Sequence, residues 1–140
     1  MMTCAVIDTN VIVAAMMSKR PDSATVKVVN AIRSGSLKPV LSSAIVDEYT
    51  EVLARGKFQF DQNDVRQMID AIVARAVFLD PLPSGEIFSD ETDRVFYEVA
   101  LAGQVDATRL VTGNLRHYPI SPIVVNPAQM VAILESSHVR

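Results

Sequence analysis

Short, mostly apolar runs recur along this chain: "CAVI" (4–7), "KPVLS" (38–42), "AVFLD" (76–80), "RLVT" (109–112) and "PIVV" (122–125). Stretches with helical spacing separate them. No other feature constrains the fold as strongly. Strands that are apolar on both faces must be covered on both faces, and a helix between two of them returns the chain so that they run parallel. The pattern predicts βαβ units and a mostly parallel sheet sandwiched between helices. Helices are expected over 22–34, stopped by Gly35, and over 44–55, capped by Ser42 or Ser43 and closed at Gly56. Others are expected over about 63–75, 91–102 and 127–135. The run "VIVAAMM" (11–17) is apolar throughout, so periodicity cannot decide between strand and helix there.

At 140 residues and 49% hydrophobic, the chain suits one domain, 1–140, with a substantial core. The longest apolar run, Val11 to Met17, is far short of the roughly 20 residues a membrane span needs. No basic flank of a secretory signal precedes it, which points to a cytoplasmic protein away from membranes. The single cysteine, Cys4, forms no internal disulfide and reads as a small core residue. A net charge of −3 excludes a generally basic nucleic-acid binder. A polyanion would have to be held by local bases and bound cations.

Against this background Asp8 stands out, because it interrupts "TCAVIDTNVIVAAMM" (3–17). An ionised carboxylate removed from water costs several kcal/mol unless it is paired. Two other acids repeat the anomaly. In the 44–55 helix, Ile45, Tyr49, Val52 and Leu53 form the apolar stripe. Glu48 lies on its flank, while Asp47 and Glu51 face water. In the 91–102 helix, Phe96, Val99, Ala100 and Gly103 face inward and Arg94 and Glu98 outward; Asp93 sits in the first turn on the inward side. Helix-start chemistry alone would account for Asp90 as an N-cap and favour Asp93 through the dipole. Ligands of open parallel sheets bind beyond the carboxyl ends of the strands, where Asp8 and Asn114 fall. Three acids gathered there repel one another unless a cation neutralises them. Oxygen ligands suit Mg²⁺ or Mn²⁺, whereas zinc would want His and Cys, and His117, His138 and Cys4 show no ligand spacing.

Four segments, "AVIDTNVIVAA", "SSAIVDEYTEVLAR", "SDETDRVFYEVALAG" and "RLVTGNLRHYP", resemble in order and spacing the motifs of PIN-domain nucleases. The branch they resemble most is described as toxin components of bacterial toxin–antitoxin pairs. The likeness covers residues from about 3 to 125. It implies a three-layer α/β/α sandwich with about five strands and an acidic pocket holding one or two Mg²⁺ or Mn²⁺ ions. It also implies cleavage of RNA by metal-activated water, an antitoxin partner and a homodimer. On that pattern Asp8, Glu48 and Asp93 are the catalytic acids and metal ligands. Asp90 and Asn114 are further metal ligands, and Thr9 and Thr112 line the pocket. Asn114 departs from the family, since many relatives carry aspartate there, and the charge it lacks puts a second metal in question.

The chemistry is consistent: divalent ions lower the pKa of bound water, act as Lewis acids at phosphorus and let an acidic protein hold a polyanion. Arg55, Lys57, Arg94, Arg116 and His117 are the candidate contacts to flanking phosphates. Two competing readings remain. An aspartyl phosphotransferase would use Asp8 as nucleophile, but the residue two positions on is Asn10 and no lysine follows a later strand. A weakened module that binds RNA or protein without cleaving is favoured by Asn114 and opposed by the three acids.

Overall fold

The computed structural model describes residues 2–137. Its strands are β1 (Thr3–Ile7), β2 (Leu37–Leu41), β3 (Val77–Phe78), β4 (Arg109–Val111) and β5 (Val124–Val125), and its helices are α1 (Thr9–Met17), α2 (Ala24–Ser34), α3 (Ser43–Leu53), α4 (Gln62–Arg75), α5 (Glu91–Ala102) and α6 (Pro127–Ser137). Three 3₁₀ turns, Gly56–Phe58, Gln104–Asp106 and Leu115–His117, complete the elements. The sheet is parallel throughout, in the order β3-β2-β1-β4-β5. Helix α5 covers β1, β2 and β4, with α3 against it. Helices α2 and α4 pack on β2, and α6 packs on α2. This is the expected three-layer sandwich.

Helix α1 settles the ambiguity of "VIVAAMM". Val11 and Ile12 are buried while Ala14 and Met17 are exposed, and the helix packs against α2 and α3. Ser42, rather than Ser43, caps α3 through its hydroxyl to the Ile45 N–H (3.3 Å). Gly35 ends α2 at φ +87°, where an L side chain would be strained. The third strand is shorter than "AVFLD" suggests: only Val77 and Phe78 pair, and the Leu79 N–H to Leu41 carbonyl bond (2.9 Å) ends the ladder before Pro81.

Strand β1 occupies the centre, with Ala5, Val6 and Ile7 fully buried. The chain builds outward from it in one direction to β2 and β3, then in the other to β4 and β5. The order therefore reverses between β1 and β4. In sheets of this kind that reversal opens a crevice at the strands' carboxyl ends. Residues 8 and 112 stand at its mouth.

Candidate active site

The Asp8 N–H donates to the Val111 carbonyl (2.9 Å), so β1 and β4 remain zipped up to the point where Asp8 leaves the sheet. Its carboxylate is 7% exposed and does not lack partners. Oδ2 accepts from the Thr112 hydroxyl at 2.8 Å, the Tyr118 hydroxyl at 2.9 Å and the Asn10 amide at 3.4 Å. Burial raises the Asp8 pKa, and the Thr112 and Tyr118 hydroxyls with the Asn10 and Thr9 backbone N–H groups only partly offset it.

Asp93 arrives from the first turn of α5. Its Oδ1 stands 3.4 Å from the same Tyr118 hydroxyl, and its Oδ2 lies 3.4 Å from His117 Nδ1. Burial raises its pKa first, with the charges of Asp8 and Asp90 adding to it. Glu48 comes from the other side. The neighbouring Tyr49 hydroxyl, fully buried, donates to the Ile7 carbonyl (2.5 Å), and its ring packs on Phe96 at 6.3 Å. These two contacts pin α3 to the end of β1 and to α5. Glu48 is half-buried, and its pKa is raised by burial and then by Glu51, with Asp90 and Asp8 acting in the same sense and Arg55 opposing. A cleft of about 340 Å³ opens between α3 and α5, lined by Ile45, Glu48, Glu51, Thr92 and Phe96.

Of the expected acids, Asp8 and Asp93 meet at one strand end, and Glu48 has no hydrogen bond to either. Asp8 and Asp93 share a hydroxyl, while Glu48 feels the charges of Asp8 and Asp90. Among the described residues, no three of His, Cys, Asp and Glu form a group poised to hold an ion. Asp90 caps α5, accepting from the Thr92 N–H (2.9 Å) and hydroxyl (2.6 Å), and these bonds lower its pKa. Thr112 is fully buried on Asp8. Asn114 is tethered by its N–H to the Thr112 hydroxyl (3.0 Å), while its side chain is exposed and makes no hydrogen bond. Thr9 is buried with a hydroxyl that finds no partner. The chemistry of the donors suits a hard divalent cation: the carboxylates of Asp8 and Asp93 repel each other and meet at one hydroxyl.

The basic candidates divide. Arg55 is exposed and paired with Glu51 (2.8 Å), and Lys57 lies over the Phe58 ring at 5.1 Å. Arg116 and His117 are exposed in the turn after β4. Arg94 is different. It and Glu98, expected to face solvent, instead hold the segment 79–90 across α5. Arg94 bonds Glu91 (2.6 Å) and the Glu86 carbonyl (2.8 Å) and lies over Phe88 at 5.2 Å. Glu98 accepts from the Ser84 N–H (2.9 Å) and hydroxyl (2.8 Å). The outward faces of a helix carry charge whether water or another segment lies over them, so the spacing alone cannot distinguish the two. His138 lies outside the described residues. Sequence reasoning missed two partners of Asp8. Asn10 registers there only as an acid not present, and Tyr118 not at all; the one available signal is that both lie inside the quoted motifs.

A family model described as "PIN domain" matches residues 4–116. The chain belongs to the PIN-domain family. PIN domains are generally nucleases and generally use divalent metal ions. Among solved structures the chain resembles, at TM-score 0.57 and 16% identity, a chain of VapBC2 from Rickettsia felis, whose crystal structure has it bound to a DNA fragment from their promoter. The match covers 89% of this chain and 98% of that one, and at this identity it speaks for the fold. No curated protein sequence matches the chain. No helix among the described residues is long and apolar enough to cross a membrane.

Proposed function

We propose that this PIN domain is a metal-dependent endoribonuclease that hydrolyses phosphodiester bonds. The observation that carries the reading is the pair Asp8 and Asp93: two buried or half-buried carboxylates from separate elements meet at one hydroxyl, at the sheet's switch point. Asp8 and Asp93 would hold Mg²⁺ or Mn²⁺, with Glu48 completing the acidic side from α3 and Asp90 and Asn114 at the rim. When bound, the ion supplies charge neutralisation and a water of lowered pKa. The chain's own residues then have separable tasks. Thr112, Asn10 and Tyr118 fix the Asp8 carboxylate. His117 sits beside Asp93, and with Arg116, Arg55 and Lys57 it offers cationic contacts to phosphates on either side of the cut. Arg94 belongs to the scaffold and is withdrawn from that group.

The family membership supports a nuclease, and the likeness to a VapBC2 chain supports a toxin paired with an antitoxin protein. On this reading the chain acts as one domain, 1–140, in the cytoplasm, and forms a homodimer. Asn10 is engaged at both ends, to Asp8 and to Gly113, and leaves no second acid for phosphotransfer. A second reading is a module that binds RNA or protein without cutting. It is favoured by the exposed, uncharged Asn114 and by the want of a ready three-acid cage among the described residues. One experiment separates the readings. Purified protein is incubated with single-stranded RNA in Mn²⁺, with EDTA and Asp8→Asn as controls. Cleavage that both controls abolish supports the nuclease; RNA retention without cleavage supports the module. Growth arrest on expression, relieved by the product of a neighbouring open reading frame, tests the toxin role.

A further inference from the structure

All three side-chain donors that reach Asp8 converge on one oxygen, Oδ2: Thr112, Tyr118 and Asn10. Oδ1 receives none of them. A carboxylate held in this way cannot rotate freely; the Thr9 and Asn10 backbone N–H groups also bond it, and Oδ1 is the oxygen without a side-chain donor. Tyr118 differs from the other two donors because it also meets Asp93. Its hydroxyl has one proton to give. The shorter contact, 2.9 Å, directs that proton to Asp8, so Asp93 Oδ1 faces the same phenol oxygen at 3.4 Å with no second proton to share. The hydroxyl therefore acts as a spacer, keeping two repelling carboxylates one oxygen apart.

The ring is held as firmly as the hydroxyl. Tyr118 is 5% exposed, and Phe88 packs edge-on against it at 6.1 Å between centroids. Phe88 also packs against Tyr97 (5.8 Å) and lies under the Arg94 guanidinium. The segment 79–90 thus braces Tyr118 from behind, through the contacts of Arg94 to Glu86 and of Glu98 to Ser84.

We propose that Tyr118 is a positioning residue of the metal site: its hydroxyl orients Asp8 so that Oδ1 is left to the cation and sets the distance to Asp93, with Phe88 holding the ring in place. This rests on the metal-dependent reading above, and the test keeps the two apart. The probe is Mn²⁺ alone, titrated into the full chain without RNA, with free Mn²⁺ read by electron paramagnetic resonance. Wild type binds and Asp8→Asn does not. Tyr118→Phe keeps the ring and the fold, so its melting temperature in EDTA stays close to wild type. Its Mn²⁺ affinity falls about ten- to hundredfold, the range for partners that orient metal ligands. Its cleavage rate returns towards wild type at saturating Mn²⁺. Phe88→Leu gives a smaller loss in the same direction. Wild-type Mn²⁺ affinity in a folded Tyr118→Phe overturns the positioning role. Should that variant fail to fold, unchanged affinity in Phe88→Leu overturns it instead. A wild type that binds no Mn²⁺ overturns the metal site itself, and this inference with it.

Discussion

The amide oxygen of Asn10 accepts the backbone N–H of Gly113 at 2.9 Å, joining the residue two past β1 to the turn after β4. The other end of the same side chain donates to Asp8. Asn10 therefore closes the mouth of the switch point and orients the acid in it. Space there is tight, since a Cβ on Gly113 would stand 3.3 Å from Asn10 Oδ1. Asn10→Ala removes the acceptor of the exposed Gly113 N–H and should cost about 0.5–1.5 kcal/mol, measured by urea unfolding. It should also slow cleavage, because Asp8 loses one of its anchors. Wild-type stability would mean that water replaces the amide at no cost.

Asp8→Asn separates the cost of the charge from the value of the hydrogen bonds. Burial raises the pKa of Asp8 in the folded protein, so the ionised form is destabilising without metal. For a group whose folded pKa is raised, stability is highest below its unfolded value and is lost as pH rises through the folded one. At neutral pH in EDTA, Asp8→Asn should therefore melt at or above wild type while abolishing cleavage. Mn²⁺ should stabilise the wild type by mass action and the variant much less. A variant that melts far lower in EDTA would show that the acceptor role of Oδ2 outweighs the burial of charge.

Glu98 has the opposite sign. Burial pushes its pKa up, but the Ser84 N–H and hydroxyl together with Arg94 outweigh that and hold it low. Its contribution is present above the unfolded carboxyl range and lost as pH falls through the folded value. Asp8, Glu48 and Asp93 titrate the other way, so a global melting curve mixes the two effects. Hydrogen exchange at the Ser84 amide isolates the first. Protection there should fall on acidification in wild type, and in Glu98→Gln it should be low and nearly independent of pH. Wild-type protection at Ser84 that does not change with pH would remove Glu98 as the clasp of this segment.

The layering and the meeting of Asp93 with Asp8 were legible because both rest on local pattern. Apolar strands demanded two covering layers, and Glu48 and Asp93 fell on inward flanks at 100° per residue. Three things were not legible. Helix α1 is apolar on every side over 11–17, so only its packing against α2 and α3 reveals which side is inward. Arg94 and Glu98 carry outward charge whether water or the segment 79–90 lies over them. Tyr118 meets Asp8 across 110 residues of sequence, through a turn after β4 that no periodicity describes. Asp8 and Asp93 could be picked out from pattern, whereas the side chains that bond Asp8 needed the fold.

Asn114→Asp tests the position that departs from the family. The exposed side chain stands next to the turn that Thr112 anchors, so a carboxylate there would join the rim of the acidic group. With metal present, the added charge should tighten Mn²⁺ binding, because the count of charged oxygens tunes the affinity for hard ions. In EDTA it should lower the melting temperature through repulsion with Asp8 and Asp93, though only slightly, since water screens an exposed charge. The two effects have opposite signs, so the gap between melting points in EDTA and in Mn²⁺ should widen, and cleavage at limiting metal should rise. An unchanged gap places residue 114 outside the metal site. In that case the asparagine says nothing about activity, and the reading as a non-cleaving module loses its principal support.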